Sequence, residues 1–279
     1  MVSGILDRPG IRLSARELLA LRNDTWPAGK HRPATRRPGV ISARLPGSGM
    51  DLREIRAFSE GDDTRRIDPA ATARTGTLHV RSFHEDRDDA VLLVADFRPA
   101  MLWGTGTALR SVRAARLLAR RGWDAIARGA SVAGMSISSA GIAALPPGAS
   151  IRQFGLLAEM LAHEHDRALE GRASPPSLAA ALVQAARLAP SGAQVWLATG
   201  PEGILAEDEP ALARLARRRR VTLLCPLDPV EIAPPRSALP ICSDGARRIA
   251  RLHPFEPGPL VARMRGLNVT VEVTGDDAG

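Results

Sequence analysis

From residue 89 onward the chain alternates two apolar patterns. "AVLLVAD" (90–96), "AQVWLATG" (193–200) and "VTLLCPLD" (221–228) are continuous apolar runs, the pattern of strands buried on both faces of a parallel sheet. Between them, apolar positions recur at helical spacing. "TALRSVRAARLLARRGWDAIARGA" (107–130) reads as a long amphipathic helix with a possible break at Gly122, and "SIRQFGLLAEMLAHEHDRAL" (150–169) as a helix capped by Ser150. "PSLAAALVQAARLA" (176–189) reads as a helix begun by Ser174 and Pro175. "DEPALARLARRRR" (208–220) places acids first and bases last, the order that the helix dipole favours. "SVAGMSIS" (131–138) and "GIAALPP" (141–147) are shorter strands around a turn, and "NVTVEV" (268–273) is a final edge strand. Before residue 50 the pattern thins: "SARELLALRND" (14–24) is one short helix capped by Ser14, and the basic stretch at 25–49 is extended loop, read as a solvated tail before an interaction arm.

Strands alternating with helices imply right-handed crossovers and an α/β fold: a doubly wound, mostly parallel sheet with helices on both faces. In such sheets function gathers at the carboxyl ends of the strands. Here those ends are Asp96 to Met101, Thr199 to Gly203 and Asp228 to Glu231.

With 279 residues and 44% hydrophobic content the chain can bury a large core, yet it has no Tyr, five Phe and four Trp, so Ala, Leu and Val must fill it. The net charge is +8, almost all from arginine, with Lys30 the single lysine. Such a charge is compatible with nucleic acid, acidic protein or anionic membrane and selects none of them. The two cysteines, Cys225 and Cys242, make no disulfide framework and no C-x-x-C pair, which fits a reducing cytoplasm. The first residues carry no long apolar leader, and no run of eighteen apolar residues occurs, so a cytoplasmic protein without a membrane span is expected.

The densest charge lies just before the first buried strand. "EGDDTRRIDPAATARTG" (60–76) interleaves Asp62, Asp63 and Asp68 with Arg65, Arg66 and Arg74. Interleaving depresses carboxylate pKa values, which suits ion pairs better than acid catalysis, and the stretch holds neither Cys nor His. "GDD" without a second acid motif does not support polymerase chemistry. A structural latch is one reading, with Asp68 capping "PAATAR", Pro69 at its first position, and Asp–Arg pairs joining the N-terminal extension to the main domain. A docking surface is the other, and the two are compatible.

Three ordered stretches carry a family resemblance. They are the signature itself (Gly61, Asp62, Asp63, Arg65, Arg66, Ile67, Asp68, Ala73 and Arg74), "HVRSFHEDRD" (79–88), and "LDPVEIAPP" (227–235) with Asp228, Pro229 and Glu231. Together they resemble domain-of-unknown-function family 58, over roughly residues 40–245. The resemblance implies a von Willebrand A-like fold and work beside a MoxR-type AAA+ ring ATPase. It also implies an organisation: 1–40 an N-terminal extension, partly disordered; 41–88 the signature segment with β structure; 89–235 the von Willebrand A-like domain; 236–279 a C-terminal extension. Family members end the first strand in D-x-S-x-S, where two hydroxyls help hold Mg²⁺. This chain has "DFRPAM": Asp96 is kept, Arg98 and Ala100 replace the two Ser ligands, and the later strand ends in Thr199 and Gly200 where Ser-Asp is expected. Ser177 is a candidate for a further ligand. Mg²⁺ demands octahedral oxygen ligation. A cation and a methyl leave too few oxygens, so the site is expected to be degenerate and metal-free, with Arg98 neutralising Asp96 as a bidentate pair; Asp96 as a plain turn cap is the bland alternative.

Other motifs support less. "HEHD" (163–166) lacks H-E-x-x-H and reads as an exposed helix end. "WGTGTALR" lacks the third glycine of a dinucleotide fingerprint, and Ser191 stands in no nucleophile elbow. "ARRRR" (216–220) is explained by the dipole at a helix end. The expectation is a non-enzymatic protein-docking adaptor without cofactor, its partner a MoxR-type AAA+ ATPase. A basic protein that binds nucleic acid or an anionic surface is the alternative, resting on "TRRP" and "ARRRR".

Overall fold

In a computed structural model of the chain, residues 9–23, 46–59, 62–84, 89–243 and 246–275 are described. The chain divides into two compact units, residues 1–26 with 89–279 and residues 27–88. The larger unit begins with α1 (Ala15–Ala20), where the Ser14 hydroxyl accepts from the Glu17 amide at 3.1 Å. Leu13, Leu18 and Leu21 are buried in the core of this unit, so part of the expected N-terminal extension belongs to the domain itself.

The smaller unit is an antiparallel pair, β1 (Pro46–Ala57) with β2 (His79–His84), and between them lies α2 (Pro69–Thr75). Asp68 caps α2 by accepting from the Ala71 amide at 2.8 Å, and Pro69 takes the first position, where its missing N–H costs nothing. Gly76 ends the helix in the left-handed region (φ 71°), which glycine adopts without strain. Two bonds then fasten the helix to β2: the Asp68 amide to the His79 carbonyl at 2.8 Å and the His79 amide to the Thr72 hydroxyl at 3.0 Å.

The larger unit is a mixed α/β sheet with helices on both faces. In chain order its elements are β3 (Ala90–Phe97), α3 (Arg110–Ala127), β4 (Ser131–Ser138), β5 (Gly141–Gly148), α4 (Ile151–Glu170), α5 (Leu178–Leu188), β6 (Gln194–Ala198), α6 (Glu209–Ala216), β7 (Arg220–Pro226), α7 (Pro229–Ile232), the two-stranded ribbon β8 (Leu239–Ser243) and β9 (Ala246–Ala250), α8 (Pro257–Gly266) and β10 (Val269–Thr274). The six-stranded sheet runs β10-β7-β6-β3-β4-β5. All neighbours are parallel except the edge pair β4–β5. The last strand closes the sheet beside β7, so the segment expected as a C-terminal extension supplies one edge of the main sheet.

The central strand shows why a continuous apolar run was needed. Leu92 and Val94 enter the core under α5, α6 and α8, whereas Val91, Leu93, Ala95 and Phe97 enter the core under α1, α3 and α4. With so few aromatics, close approach replaces bulk. A Cβ at Gly122 would lie 2.6 Å from the Phe154 ring and 2.9 Å from Leu93 Cδ1. The helix therefore does not break there: α3 is unbroken through Gly122, which lets it press against α4 and β3.

Three local expectations are corrected. The cap of α5 is Ser177, whose hydroxyl accepts from the Ala180 amide at 3.2 Å, and not Ser174. "HEHD" is not an exposed helix end, because α4 continues to Glu170 and turns Glu164 and His165 inward. His165 Nε2 lies 2.8 Å from the Ser111 hydroxyl, and its ring meets Phe97 edge-on at 5.0 Å. In the basic run, Arg219 donates to the carbonyls of Ala186 (2.7 Å) and Ala189 (2.8 Å), so it satisfies the end of α5 as well as following its own helix.

Burial first, then the charge of Arg12, push the His165 imidazole down to about 4 from 6.5. Between those values the unfolded chain binds the proton and the folded one does not, so stability rises with pH. Urea unfolding should therefore show stability lost as pH falls below 6.5 toward about 4, and the slope should flatten in His165→Gln. Gly122→Ala gains helix propensity of about 1 kcal/mol but overpacks the Phe154 contact at about 1–3 kcal/mol. The expected net result is destabilisation of about 1 kcal/mol in the same assay.

Candidate functional site

The chain leaves β3 toward β4 on one side and later returns as β6 on the other. The carboxyl ends of β3 and β6 thus flank the point where strand order reverses, the place where open α/β sheets bind ligands. Asp96 sits there, 1% exposed. Its Oδ1 accepts from the Arg98 amide and from Arg98 Nε, both at 2.9 Å. Its Oδ2 accepts from Arg98 Nη2 at 2.7 Å and from the Thr199 hydroxyl at 2.5 Å. An ionised carboxylate has about four acceptor positions, and all four are filled.

Arg98 also donates from Nη2 to the Gly203 carbonyl at 2.6 Å, which ties the ends of β3 and β6 together. Position 203 must be glycine-like in size, since a Cβ there would collide with the Thr199 hydroxyl. Burial alone would pull the Arg98 guanidinium down; the hydrogen bonds and charge of Asp96, with Asp208 and Glu202 behind it, outweigh that and hold it above its ordinary value. Ala100 lies exposed in the short turn Pro99–Met101 and brings no oxygen. These residues do not fit Mg²⁺: the one carboxylate has no lone pair to spare, and a guanidinium stands against it where a cation would bind. Among the described residues, no group of three or more His, Cys, Asp or Glu could hold a metal ion.

The second half of the site centres on Arg110, which sequence reasoning missed. It stands at the first position of α3, where the helix dipole disfavours a cation, and its side chain is fully buried. The compensation is local. Glu202 pairs with Nη1, Glu231 lies 2.6 Å from Nη2, and the Trp103 ring stacks with its centroid 4.4 Å from the guanidinium carbon. Gly200 is small for the same reason as Gly203: a Cβ at 200 would collide with Arg110 Nη1. A cation at the wrong end of a helix was the available signal.

Asp228 and Glu231 close the group. Asp228 accepts from the Val230 amide at 3.0 Å, while Glu231 accepts from the Asp228 amide at 2.7 Å, a reciprocal cap on α7. Asp228 also accepts from the Thr105 hydroxyl and, at 2.8 Å, from the Thr105 amide, pinning the loop after β3. Burial would raise the Asp228 carboxyl, but the bonds from Thr105 and Val230 and the charge of Arg113 keep it below its ordinary value. Asp208, buried, accepts from the Ala179 amide at 2.8 Å and the Leu205 amide at 3.0 Å, fixing the turn Ala206–Asp208 that follows the one with Glu202. The Cys225 thiol is free and pushed up to about 12 by burial, which makes it no nucleophile.

The signature carboxylates belong to the smaller unit and are met by arginines from its own strands. Asp62 forms a bidentate pair with Arg56 (2.6 and 2.8 Å) and accepts from the Ser59 amide at 2.8 Å. Asp68 receives Arg81 Nε at 2.7 Å, and Asp63 caps a short turn through the Arg65 amide at 3.0 Å. The Arg56 bonds hold Asp62 low, and the Ala71 amide followed by Arg81 hold Asp68 low. Among the described residues the latch is local: Asp62 and Asp68 pair with arginines outside the interleaved run, in β1 and β2. Arg65 and Arg74 are exposed; Gly61 lies outside the described residues, as does the Arg66 side chain.

A family model described as "Protein of unknown function DUF58" matches residues 54–237. The uncharacterized protein Rv1480 of Mycobacterium tuberculosis and Mb1516 of Mycobacterium bovis are each 43% identical over 61 residues, 22% of this chain and 19% of the relative. The match thus spans about a fifth of those relatives. Among solved structures, the conserved hypothetical protein BatB from Bacteroides thetaiotaomicron is similar with TM-score 0.46 and 15% identity, covering 67% of this chain and 91% of that one. An aerotolerance-related membrane protein from Bacteroides fragilis gives 0.44 and 15%, covering 67% and 92%.

Thr199→Val keeps the shape and removes one donor from a buried carboxylate. Because hydrogen bonds to charged groups are worth about 1.5–3 kcal/mol, the variant should lose about 2 kcal/mol of unfolding free energy in urea titration.

Proposed function

The chain belongs to the family of the protein of unknown function DUF58, and on that premise we propose that it is a non-enzymatic docking adaptor. It works in the cytoplasm as a co-chaperone or assembly factor beside a MoxR-type AAA+ ATPase, and its contact needs no divalent cation. The observation that carries this reading is the fully occupied Asp96 carboxylate: an internal guanidinium takes the charge-balancing role that relatives are expected to give to a metal ion.

Two features support docking over catalysis. The titratable groups of the carboxyl edge are tied to one another and to amides as ion pairs and caps, so none is poised as acid, base or nucleophile. The turns after β6 and β7 carry Leu205 and Ile232 exposed beside the charged group, an apolar element suited to a protein partner. Among the described residues, no helix is long and apolar enough to cross a membrane.

A second reading keeps one observation of its own. On β9, Ile249 is 80% exposed between exposed Arg247, Arg248 and Arg251, the mixture that anionic surfaces attract.

Capture of a purified MoxR-type ATPase by the full chain should be unchanged by EDTA and reduced by Leu205→Asp with Ile232→Asp. Release of the partner by EDTA alone refutes the metal-independent contact. A salt titration against DNA and anionic vesicles tests the second reading, which predicts steep loss of binding as salt rises.

A further inference from the structure

We infer that Arg110 anchors a carboxylate seat which Glu202 fills from within, and that an acidic side chain of a binding partner takes this seat by exchange with Glu202. The inference rests on the reading of the carboxyl edge as a docking face and names the chemistry of its ligand.

The two sides of the Arg110–Glu202 pair differ in kind. The Arg110 side chain is 0% exposed, whereas that of Glu202 is 47% exposed. The cation is fixed: Trp103 stacks on its plane, and Glu231 holds Nη2 from the other side. The anion stands on a short turn (Pro201–Gly203) at the surface, so its departure returns a carboxylate to water at small cost. The buried partner has no such option, because leaving a buried guanidinium without an anion is expensive. Glu202 therefore leaves only when another acceptor arrives.

Arg110 also has spare donor capacity. Its Nε finds no hydrogen-bond acceptor among the described residues, while Nη2 is held by Glu231 at 2.6 Å. A guanidinium forks most effectively onto a carboxylate when two donors are engaged, and Glu202 engages Nη1 alone. An incoming carboxylate with free orientation can do better than one tethered at Glu202. Gly200 keeps the approach open, since a Cβ there would lie 2.9 and 3.0 Å from the two Glu202 oxygens.

The seat suits a monoanion. Asp96, Asp208 and Glu231 already neutralise much of the positive charge around it. Exchange of one carboxylate for another leaves that balance unchanged, whereas a phosphate dianion adds a charge among three carboxylates. Asp or Glu of a partner chain is thus the fitting ligand.

The test uses the full chain with Glu202→Ala and Glu202→Gln, acetate as probe, and chloride and inorganic phosphate at matched ionic strength. The readouts are the indole N–H resonance of Trp103, assigned with Trp103→Phe, and the melting temperature. Acetate should saturate both variants at least about tenfold more tightly than wild type, while Glu207→Ala, a neighbouring exposed acid, should behave as wild type. Absence of a saturable acetate response in both variants overturns the seat. Phosphate binding more tightly than acetate overturns its assignment to carboxylates. If acetate saturates the variants while wild type captures no ATPase, the seat stands and the adaptor reading falls; if capture succeeds and acetate fails, the reverse holds.

Discussion

A buried carboxylate at the end of a central strand needs its charge balanced and its lone pairs filled, and in this protein one residue two positions later does most of both. Arg98 supplies three of the four donors that Asp96 accepts, from its amide, Nε and Nη2, and Thr199 supplies the fourth from the neighbouring strand. The cost of burying Asp96 is thereby offset locally, without an ion from outside. Because Arg98 also reaches the Gly203 carbonyl, the same interaction sets the geometry of the turn after β6. Gly203 and Gly200 follow from it: each leaves room where a buried polar group must pass.

From that turn the remaining charges fall into place. Glu202 meets Arg110, Arg110 meets Glu231, and Glu231 caps the helix begun by Asp228, whose carboxylate holds Thr105 in the loop after β3. The loops after three strands are thus joined by one chain of charge-assisted bonds. Such a network fixes the positions of its members. Exposed Leu205 and Ile232 lie beside this network, which is what the proposed docking role draws on.

The sheet was legible because its strands are buried on both faces: Leu92 and Val94 face one core while Leu93 and Phe97 face the other, so no polar residue interrupts the run. The pairing of Asp96 with Arg98 was legible from two residue types at a known place in the fold. What was not legible depends on tertiary approach. Gly122 reads as a helix breaker in isolation, yet Phe154 and Leu93 require it inside a continuous helix. His165 and Glu164 look solvent-facing in a polar tetrapeptide, but both stand on the face of α4 that turns toward the core. Arg110 was missed because its partners lie about ninety and more residues away at Glu202 and Glu231. The ribbon β8–β9 lies in the segment expected only as a C-terminal extension, although Asp244–Gly245 between two short β-prone segments is a hairpin signal in the sequence.

Charge elsewhere follows the same rule of local settlement, which changes how a net charge of +8 is to be understood. Asp62 and Asp68 are held by Arg56 and Arg81 within the smaller unit, Arg219 serves the carbonyls at the end of α5, and Arg121 pairs with Glu272 at 2.5 Å while stacking on Trp196. Many arginines that make the sequence look like a polyanion binder are therefore committed to structure. Arginine suits this use because its planar fork bonds two acceptors at once and stacks on rings, which lysine does not. In a chain with no Tyr, five Phe and four Trp, guanidinium stacking and bidentate pairing do part of the space-filling that aromatic residues do elsewhere. The arginine content is in that sense a packing solution first, and the positive charge left at the surface, as on β9, is its residue.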